Sequence, residues 1–583
     1  MTRSPVLRQR VVDTVAEQAL RSSGFSPLFA RLYAARGIQT ATDIEWKLSQ
    51  LPSPALMRGM DVVCDRLIRA IQQRERMLIV ADYDADGATA CAVGLRGLRA
   101  MGAEVGYIVP NRFEYGYGLT PEIVTLAARE SPSVIITVDN GIASVDGVAA
   151  ARSRGIDVVV TDHHLPGDTL PDTPAIVNPN QPGCPFPSKA IAGVGVMFYV
   201  LLALRAQLRE HGTFSAATQP DLNQLLDLVA LGTVADVVPL DTVNRRLVEA
   251  GLRRMREGRA CVGINALFDV AKRDAHKATA YDLGFMLGPR INAAGRLDDI
   301  SLGIECLSTD DPARAVDIAI ELDRLNRERK GIEAGMRDEA DQMLARNASA
   351  NAGTADMTAP ADTPPATHYS IVVSDPTWHQ GVVGIVAGRL REKHHRPTIV
   401  FAPGSEGELK GSGRSIPGFH LRDALDLVSK RVPGLMRKFG GHAMAAGLTM
   451  DEANFDAFAK AFEQVARESL TLADLEQRVE SDGSFSLDEF DFATAEALHK
   501  HVWGQAFPAP LFDDEFTVMD ARIVGMKHTK LRLKRGGRIF DAIRFGITEP
   551  PPQPMRAAYR VSLSEYQGTQ RLELIVEQWW AVS

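Results

Sequence analysis

The chain has 583 residues, which is more than one hydrophobic core usually serves, so we expect several domains. Apolar residues make up 45% and charged residues 24%, a balance that is typical of globular proteins and excludes a wholly disordered chain. The net charge of −8 means that any site for nucleic acid must gather its positive charge locally. No apolar run approaches the roughly 18 residues that span a bilayer, and the N-terminus lacks the apolar segment of a signal peptide. The five cysteines form no CxxC pair, which argues against a zinc ribbon and suits a reducing compartment. From these features together, we expect a cytoplasmic protein with no membrane partner.

The first half of the chain predicts an α/β catalytic domain that is preceded by a helical segment. Residues 1–70 favour helices that pack on the domain and show no evident chemistry. In residues 71–310, short apolar strands alternate with helices, which predicts a parallel sheet covered on both faces. The predicted strands are residues 77–81, 105–109, 134–138 and 158–161, and the predicted helices are residues 88–101 and 121–130.

The second half predicts a connecting helix, a linker and two further domains. Residues 311–346 are charged and helix-forming, and we expect one long helix that joins two lobes. Residues 347–368 are rich in Ala, Thr and Pro, which indicates a flexible linker. Apolar strand patterns resume in residues 369–465, which predict a smaller α/β domain, and residues 473–583 predict a β-rich module.

Acidic side chains follow three of the predicted strands. In an open parallel sheet, ligands bind at the carboxyl ends of the strands. Carboxylates that are held close together repel unless a cation lies between them. A single acidic cluster could be a solvated turn, but three clusters at one sheet edge, with one more acid after a later apolar run, predict a metal site. The residues concerned are Asp82, Asp84, Asp86, Asp139, Asp162, His163, His164 and Asp236.

The order of these motifs (DxDxDG, DNG, DHH and then an isolated Asp) resembles the DHH phosphoesterase family. Within that family, the chain is most similar to the branch of single-strand-specific exonucleases. Three segments carry this closer resemblance, namely residues 111–118 (NRFEYGYG), 192–196 (AGVGV) and 287–297 (LGPRINAAGRL). The resemblance runs from about residue 25 to the C-terminus, with residues 347–367 as the exception.

The resemblance implies a two-metal site. It implies that Asp139 bridges two divalent cations, with Mn²⁺ preferred or Mg²⁺ in its place. It also implies that His164 faces the substrate and contacts the scissile phosphate. Asp86 and Asp162 are left open, since they could either orient ligands or shape the turns. The implied metal ligands are Asp82, Asp84, Asp139, His163 and Asp236, and the implied catalytic residues are His164 and Asp139.

Residues 369–465 resemble the DHHA1 substrate-binding domain, which follows the catalytic domain in this family. Glycine-rich segments such as residues 411–415 (GSGRS) let the backbone approach a phosphate, although tight turns are the alternative interpretation. The resemblance implies that Arg112, Ser412 and Arg414 grip a terminal 5′-phosphate, which would fix the polarity of digestion. The implied substrate-binding residues are Arg112, Arg290, Asn292, Arg296, His379, Ser412, Arg414 and His442.

Positive charge gathers near the C-terminus. Residues 521–560 contain ten Lys or Arg and two acids, which leaves ten minus two, or +8, inside a chain of −8. The aromatic residues Phe540, Phe545 and Tyr559 are interleaved with this charge. Charge and aromatic faces on a β-rich module are typical of an OB-fold that binds single strands, which the resemblance also implies, whereas a solvated basic hairpin over core aromatics is the alternative. The candidate nucleic-acid-binding residues are Lys527, Lys530, Arg532, Lys534, Arg535 and Arg538.

Together these features predict a monomeric exonuclease that degrades single-stranded DNA in the 5′→3′ direction, in DNA repair and recombination. A helicase and a single-strand binding protein are the partners that such a substrate suggests. Two alternatives stay open from the sequence. One is a DHH-family phosphodiesterase that acts on nanoRNA or small nucleotides, for which the basic module has no evident use. The other is a nuclease-inactive replication scaffold, which the intact set of ligand positions disfavours.

Overall fold

The computed structural model describes residues 5–110, 115, 117–353, 368–405, 407–566 and 569–582. The chain folds into two compact units. The first unit contains residues 9–326 and the chain from residue 481 onwards, and the second contains residues 327–480 with a short N-terminal segment. No helix in the described ranges is long and apolar enough to cross a bilayer.

The N-terminal segment is mainly helical, as predicted, because its apolar side chains recur at helical spacing. Its first helix begins after Asp13, whose carboxylate accepts hydrogen bonds from two free backbone N–H groups of the first turn. The elements are β1 (Val6–Gln9), α1 (Thr14–Ser22), α2 (Pro27–Ala34) and α3 (Met60–Gln73).

The catalytic domain contains the predicted parallel sheet, and the α/β fold class is confirmed. Five parallel strands lie in the order β3-β2-β4-β5-β6. The central strands β2 and β4 are buried along their whole length, because helices cover both faces of the sheet. Leu78 and Val80 face a core with α5 and α6, whereas Met77 and Ile79 face the larger core with α4 and α7. The strands are β2 (Met77–Ala81), β3 (Val105–Ile108), β4 (Val134–Val138), β5 (Asp157–Thr161) and β6 (Ile176–Val177); the helices are α4 (Ala85–Ala100), α5 (Pro121–Ala127), α6 (Val145–Ser153), α7 (Gly193–Glu210), α8 (Leu226–Ala235), α9 (Thr242–Arg256), α10 (Val262–Val270), α11 (Gly288–Leu297) and α12 (Ser301–Ser308).

One long helix, α13 (Pro312–Gly353), follows the catalytic domain. It ends at Gly353, beyond the end at residue 346 that the sequence predicts, because the Ala-rich start of the predicted linker continues the helix. The helix therefore includes residues 347–353 of the segment predicted as a flexible linker (347–368), and residues 354–367 lie outside the described residues.

The second unit contains a mixed five-stranded sheet in the order β10-β11-β9-β8-β7. Strands β7 and β8 are parallel, and the other neighbours are antiparallel. This arrangement agrees with the predicted smaller α/β domain. The elements are β7 (Ile371–Ser374), α14 (Val383–His394), β8 (Thr398–Pro403), β9 (Glu408–Arg414), α15 (Leu421–Arg431), β10 (Lys438–Gly441), β11 (Ala445–Asp451), α16 (Phe455–Ser469) and β12 (Arg478–Ser481).

The C-terminal module is a closed five-stranded barrel in the order β13-β14-β15-β17-β16, which confirms the predicted OB-like fold. Strands β14 and β15 form a hairpin, whose turn residues Gly536 and Gly537 both have positive φ. A buried ion pair ties the module to the N-terminal helices, since Arg36 Nη1 lies 2.8 Å from Asp482 Oδ1. The elements are α17 (Phe492–Lys500), β13 (Phe512–Val524), β14 (His528–Arg535), β15 (Arg538–Arg544), β16 (Met555–Tyr566) and β17 (Thr569–Ala581).

Candidate metal centre

The carboxyl ends of β2, β4 and β5 bring the predicted metal ligands together. Asp82 follows β2, Asp84 caps the N-terminus of α4, Asp139 follows β4 and His163 follows β5. Parallel strands place these ends at one edge of the sheet, which is why ligands far apart in sequence meet. Asp236 reaches the same place from the C-terminus of α8, a buried helix. The five predicted ligands therefore form one cluster in the first unit.

The spacing of the ligand atoms fits a six-coordinate divalent cation. His163 Nε2 lies 3.1 Å from Asp139 Oδ1 and 3.6 Å from Asp236 Oδ2. Ligands at about 2.1 Å from an octahedral ion lie about 3 Å from each other. All three atoms are buried and lack a hydrogen-bond partner within the described part of the chain. Buried polar atoms without partners are costly, so a bound cation would complete this arrangement.

Asp139 is shared between two groups of potential ligands. Its carboxylate lies with Asp82 and Asp84 on one side, and with His163 and His164 on the other, with ligand atoms of each group within 4.8 Å of one another. Asp139 also has a φ of +62°, a left-handed conformation that few residues other than glycine adopt. Such backbone strain is found at sites where the surrounding structure fixes a functional side chain.

The electrostatics of the cluster favour a bound cation. Burial and repulsion from Asp86, Asp84 and Asp82 raise the pKa of Asp139 well above its usual value. Burial and the same three carboxylates raise the pKa of Asp236 in the same way. Burial lowers the pKa of His163 to about 4, so its imidazole is neutral and able to ligate a metal. A divalent cation would relieve the repulsion between the carboxylates and keep them ionised.

Asp86 and Asp162, whose roles the sequence leaves open, both hold other parts of the site. Asp86 accepts hydrogen bonds from the backbone N–H groups of Gly193, at 2.6 Å, and Val194, at 2.9 Å, at the start of α7. Asp162 Oδ1 accepts hydrogen bonds from the backbone of the next two residues and from His164 Nδ1 at 2.8 Å. Asp86 therefore anchors a helix end, and Asp162 fixes the loop that carries both histidines.

His164 is the more exposed of the two histidines, with 34% of its side chain accessible. Although burial favours its neutral form, the hydrogen bond to Asp162 and the nearby carboxylates raise the pKa of His164. Tyr117 lies 3.2 Å from the His164 ring nitrogens, and its hydroxyl also donates a hydrogen bond to the Asp139 backbone carbonyl. The sequence interpretation missed Tyr117, although it belongs to the segment at residues 111–118.

Amide side chains hold the loop of the two histidines in place. Asn178 donates to the His164 carbonyl at 3.0 Å, and Asn180 donates to the His163 carbonyl at 2.6 Å. Sequence reasoning also missed this pair, because isolated Asn residues in a loop carry no signal of their partners.

Close packing leaves no room beside Asp139. A methyl group added to Gly193 would lie 2.6 Å from Asp139 Oδ1, so only glycine lets α7 begin this close to the carboxylate. Gly193 therefore serves close packing between the start of α7 and the metal centre.

The predicted substrate-binding residues of the first unit differ in their environments. Asn292 Oδ1 accepts a hydrogen bond from the Ala85 backbone N–H at 2.8 Å, next to the ligand Asp84. Arg290 is buried and pairs with Asp323, at 2.9 Å, and with the Met286 carbonyl. These contacts hold the Arg290 guanidinium against α13, and its role in substrate binding stays a prediction.

The other two candidates of this unit are Arg296 and Arg112. Arg296 lies on α11 and is partly exposed. Arg112 lies outside the described residues.

In the second unit, Ser412 and Arg414 lie on one face of β9. Arg414 Nη1 is 3.3 Å from Ser412 Oγ, and both side chains lie against the N-terminal turn of α14 at Gly384. Burial lowers the pKa of Arg414, and the like charge of Arg391 adds to this effect. A half-buried guanidinium beside a helix N-terminus is a favourable environment for a phosphate. His379 and His442 are exposed, and they lie in loops of the same unit.

The predicted basic surface of the barrel is only partly available for binding. Lys530, Arg532 and Lys534 point outward from β14, and Lys527 is exposed in the preceding turn. Arg535 instead lies 3.0 Å from buried Asp514 and donates to the backbone of the segment before the barrel.

Two further expectations for the barrel need correction. Arg538 lies over the rings of Phe490 and Phe540, so it too is engaged within the module. Of the three interleaved aromatics, Phe540 and Tyr559 are buried in the core, and only Phe545 is exposed. Alternation along the strands places them inside, which composition alone does not reveal.

Three family models match the chain, and they place it among the DHH proteins. The model described as "DHH family, N-terminal domain" matches residues 76–233. The DHHA1 domain model matches residues 367–468, and the RecJ OB domain model matches residues 481–578.

Relatives that align with almost the whole chain show to which group of DHH proteins it belongs. The chain is 48% identical to the single-stranded-DNA-specific exonuclease RecJ of Dickeya dadantii (strain 3937), over 95% of this chain and 96% of that protein. It is 45% identical to the protein of the same name from Escherichia coli (strain K12), with 99% of each chain covered. Its structure is similar to that of RecJ from Thermus thermophilus in complex with Mn²⁺, with a TM-score of 0.80 at 29% identity, over 99% of this chain and 79% of that one. The chain belongs to the RecJ family.

Proposed function

We propose that this chain is a metal-dependent exonuclease that hydrolyses single-stranded DNA from the 5′ end. The observation that carries this proposal is the set of buried ligand atoms without partners on Asp139, His163 and Asp236. Proteins that are 45–48% identical to it over almost its whole length are named single-stranded-DNA-specific exonucleases. The related structures that contain Mn²⁺ or Mg²⁺ support the same metals here.

The residues of the proposed site have distinct roles. Two divalent cations, Mn²⁺ preferred or Mg²⁺, would be held by Asp82, Asp84, Asp139, His163 and Asp236. When bound, such cations lower the pKa of water and neutralise charge on the attacked phosphate.

His164 is the side chain that would contact the scissile phosphate. Its Nδ1 is held by Asp162, which fixes the ring so that Nε2 can donate to an oxygen of the scissile phosphate. Tyr117 limits the rotation of this ring through its hydroxyl group.

Polarity requires a second phosphate site, because the metal centre alone would cut any phosphodiester placed there. We assign Arg112, Ser412 and Arg414 to the terminal 5′-phosphate. A terminal phosphate carries more charge than an internal diester, and an arginine fork binds it in a bidentate manner. We assign the path of the substrate to Arg290, Asn292, Arg296, His379 and His442, and its backbone beyond the site to Lys527, Lys530, Arg532 and Lys534.

The cellular setting follows from the substrate. We propose that the chain works in the cytoplasm as a monomer in DNA repair and recombination. A helicase would produce its single strands, and a single-strand binding protein would cover them, so both are proposed partners.

End-labelled strands test the proposed polarity. With a 5′-phosphorylated single strand and Mn²⁺, we expect label at the 5′ end to be released first, while a blunt duplex resists digestion. Arg414→Ala should reduce the preference for 5′-phosphate over 5′-hydroxyl, and Arg414→Lys should restore it only in part. Arg431→Ala, an exposed arginine of the same unit that pairs with Glu468, is the control and should leave this preference unchanged. First release of a 3′ label, or equal digestion of duplex and single strand, would contradict the proposal.

A further inference from the structure

Two aromatic rings stand exposed side by side on the first unit. Tyr281 and Phe285 are 52% and 64% accessible. Their centroids are 4.9 Å apart and their planes differ by 23°, so the rings are stacked. Large aromatic side chains are normally buried, and an exposed stacked pair indicates a binding surface. We call this pair the ring platform.

The ring platform is held rigidly by the segment that carries it. Tyr281 precedes a π-helical turn, Asp282–Leu287, and Phe285 lies within it. At the start of this turn, the buried carboxylate of Asp282 accepts hydrogen bonds from Thr279 and from Arg273 Nε at 2.7 Å. Turns of this kind are rare and often occur at functional sites.

The same turn packs against the helix that presents a metal ligand. A methyl group on Gly284 would lie 3.2 Å from Val234, and one on Gly288 would lie 3.0 Å from Ala235. Both contacts involve the last turn of α8, and the residue after that turn is Asp236. The ring platform and the metal centre are therefore built around one short, packed junction.

The surface beside the ring platform is positively charged. Lys272 and Lys277 are exposed in the loop that leads to Tyr281, whereas Arg273 of the same loop pairs with Asp282. With Asp274 as the acid of the loop, these residues still leave a net positive charge, and the Asp274 carboxylate accepts a hydrogen bond from the His276 backbone N–H at 2.9 Å. Cations next to flat aromatic faces suit a single-stranded nucleic acid, whose phosphates meet the cations while its bases stack on the rings.

We propose that Tyr281 and Phe285 form a base-stacking site for the single strand whose phosphodiester lies at the metal centre. The inference rests on the proposed function and adds to it a substrate-positioning site. Stacking on a fixed aromatic face tolerates any base, since every base has a π-face, which suits an enzyme that must degrade all sequences. These residues bind substrate and do not take part in the chemical step.

A scan of single-stranded DNA with missing bases tests the site. We would measure binding of a 5′-phosphorylated strand of about 12 nucleotides by fluorescence anisotropy in EDTA, so that the strand stays intact. A series of strands, each lacking one base, should show one or two adjacent positions where the wild-type protein binds at least about fivefold more weakly, the lower end of the effect of base stacking.

Substitutions at the platform then assign that position. Phe285→Ala and Tyr281→Ala should bind the complete strand at least about fivefold more weakly and should no longer respond to the missing base. Phe285→Leu should behave like Phe285→Ala, because it keeps the apolar surface but loses the ring, whereas Phe285→Tyr should bind normally. Phe492→Ala, at another exposed aromatic of the same unit, is the control and should match the wild type.

Each other outcome overturns the site. If Phe285→Leu binds like the wild type, the surface is a general apolar contact of the kind a partner protein uses. If the variants bind all strands more weakly by the same factor and their binding still depends on the missing base, the rings do not stack on that base. If the wild-type protein digests single strands but its scan is flat, the ring platform fails while the exonuclease proposal stands; if it neither binds nor digests them, both fail.

Discussion

Replacing Gly193 by Ala should displace the central metal ligand without unfolding the protein. The added methyl group would lie 2.6 Å from Asp139 Oδ1 and 2.7 Å from its Cβ, whereas ordinary contact begins at 3.4 Å. The carboxylate must therefore move by about 0.8 Å, since 3.4 minus 2.6 is 0.8. A misplacement of about 1 Å in a catalytic site can cost about 100-fold in rate. We expect a loss of that order in kcat/KM, together with weaker binding of Mn²⁺.

Gly195→Ala is the matched control for this prediction. It adds the same methyl group in the same helical turn, and the nearest atom is again 2.6 Å away, but that atom is Ile191 Cγ1 in the apolar core. Overpacking there should lower stability by about 1–3 kcal/mol and leave the metal site intact. Calorimetric titration with Mn²⁺, thermal unfolding and digestion of a single strand would be compared for the two variants. Normal Mn²⁺ affinity and normal turnover in Gly193→Ala, or equal losses of both in Gly195→Ala, would refute the reasoning.

Three further predictions concern the histidine loop, the barrel and acid stability. Asp162→Asn should keep the fold and bind Mn²⁺ within a few-fold of normal but lose about 10- to 150-fold in kcat, because a charged hydrogen bond that orients His164 is worth about 1.5–3 kcal/mol; unchanged kcat would show that this contact is dispensable. On the barrel, Lys534→Ala should weaken binding of long single strands and reduce the slope of log affinity against log salt by about 1, and an unchanged slope would argue for a merely solvated face. Arg535→Ala should instead lower stability by about 1.5–3 kcal/mol, because it removes the ion pair of buried Asp514 while the hydrogen bonds from Ser484, Phe485 and Tyr559 remain. Burial lowers the pKa of His501 to about 4 from 6.5, so its contribution to stability is complete above pH 6.5 and is lost as the pH falls toward 4. The wild type should lose about 3 kcal/mol more than His501→Gln over that range in urea unfolding, and equal losses would rule out this histidine as the cause.

Much of the metal centre could be predicted from the sequence because its ligands sit next to strands with clear patterns. Asp82 follows a run of five apolar residues, and Asp139 follows a run of five that contains one threonine; both strands are buried along their whole length. Asp162 could not be assigned, since its partners are the two histidines that follow it and the Ile142 backbone N–H in another loop, and these contacts depend on the geometry of both loops. The contacts of Arg290 could not be predicted, because its partner Asp323 lies 33 residues further on, in a helix whose packing no local pattern reveals.

In the barrel, too, the sequence pattern predicts some side-chain positions but not the partners of every charged residue. Charge and aromatic content indicated a binding surface, but the period of two along β14 decides which side chains face outward. Applying that alternation places Leu531 and Leu533 inside and Lys534 outside. It gives no indication that Arg535 pairs with Asp514, because the two lie on different strands.

The central claim is that the cluster around Asp139 binds divalent metal and that this metal is required for exonuclease activity. The most direct measurement combines Mn²⁺ stoichiometry with digestion of a labelled single strand, for the wild type and for Asp139→Ala. We predict two Mn²⁺ ions per wild-type chain and rapid digestion that EDTA abolishes. Asp139→Ala should bind fewer ions and lose activity while its circular dichroism spectrum and its affinity for single strands stay near normal. Digestion by the wild type in EDTA, or full activity and normal Mn²⁺ binding in Asp139→Ala, would contradict the claim.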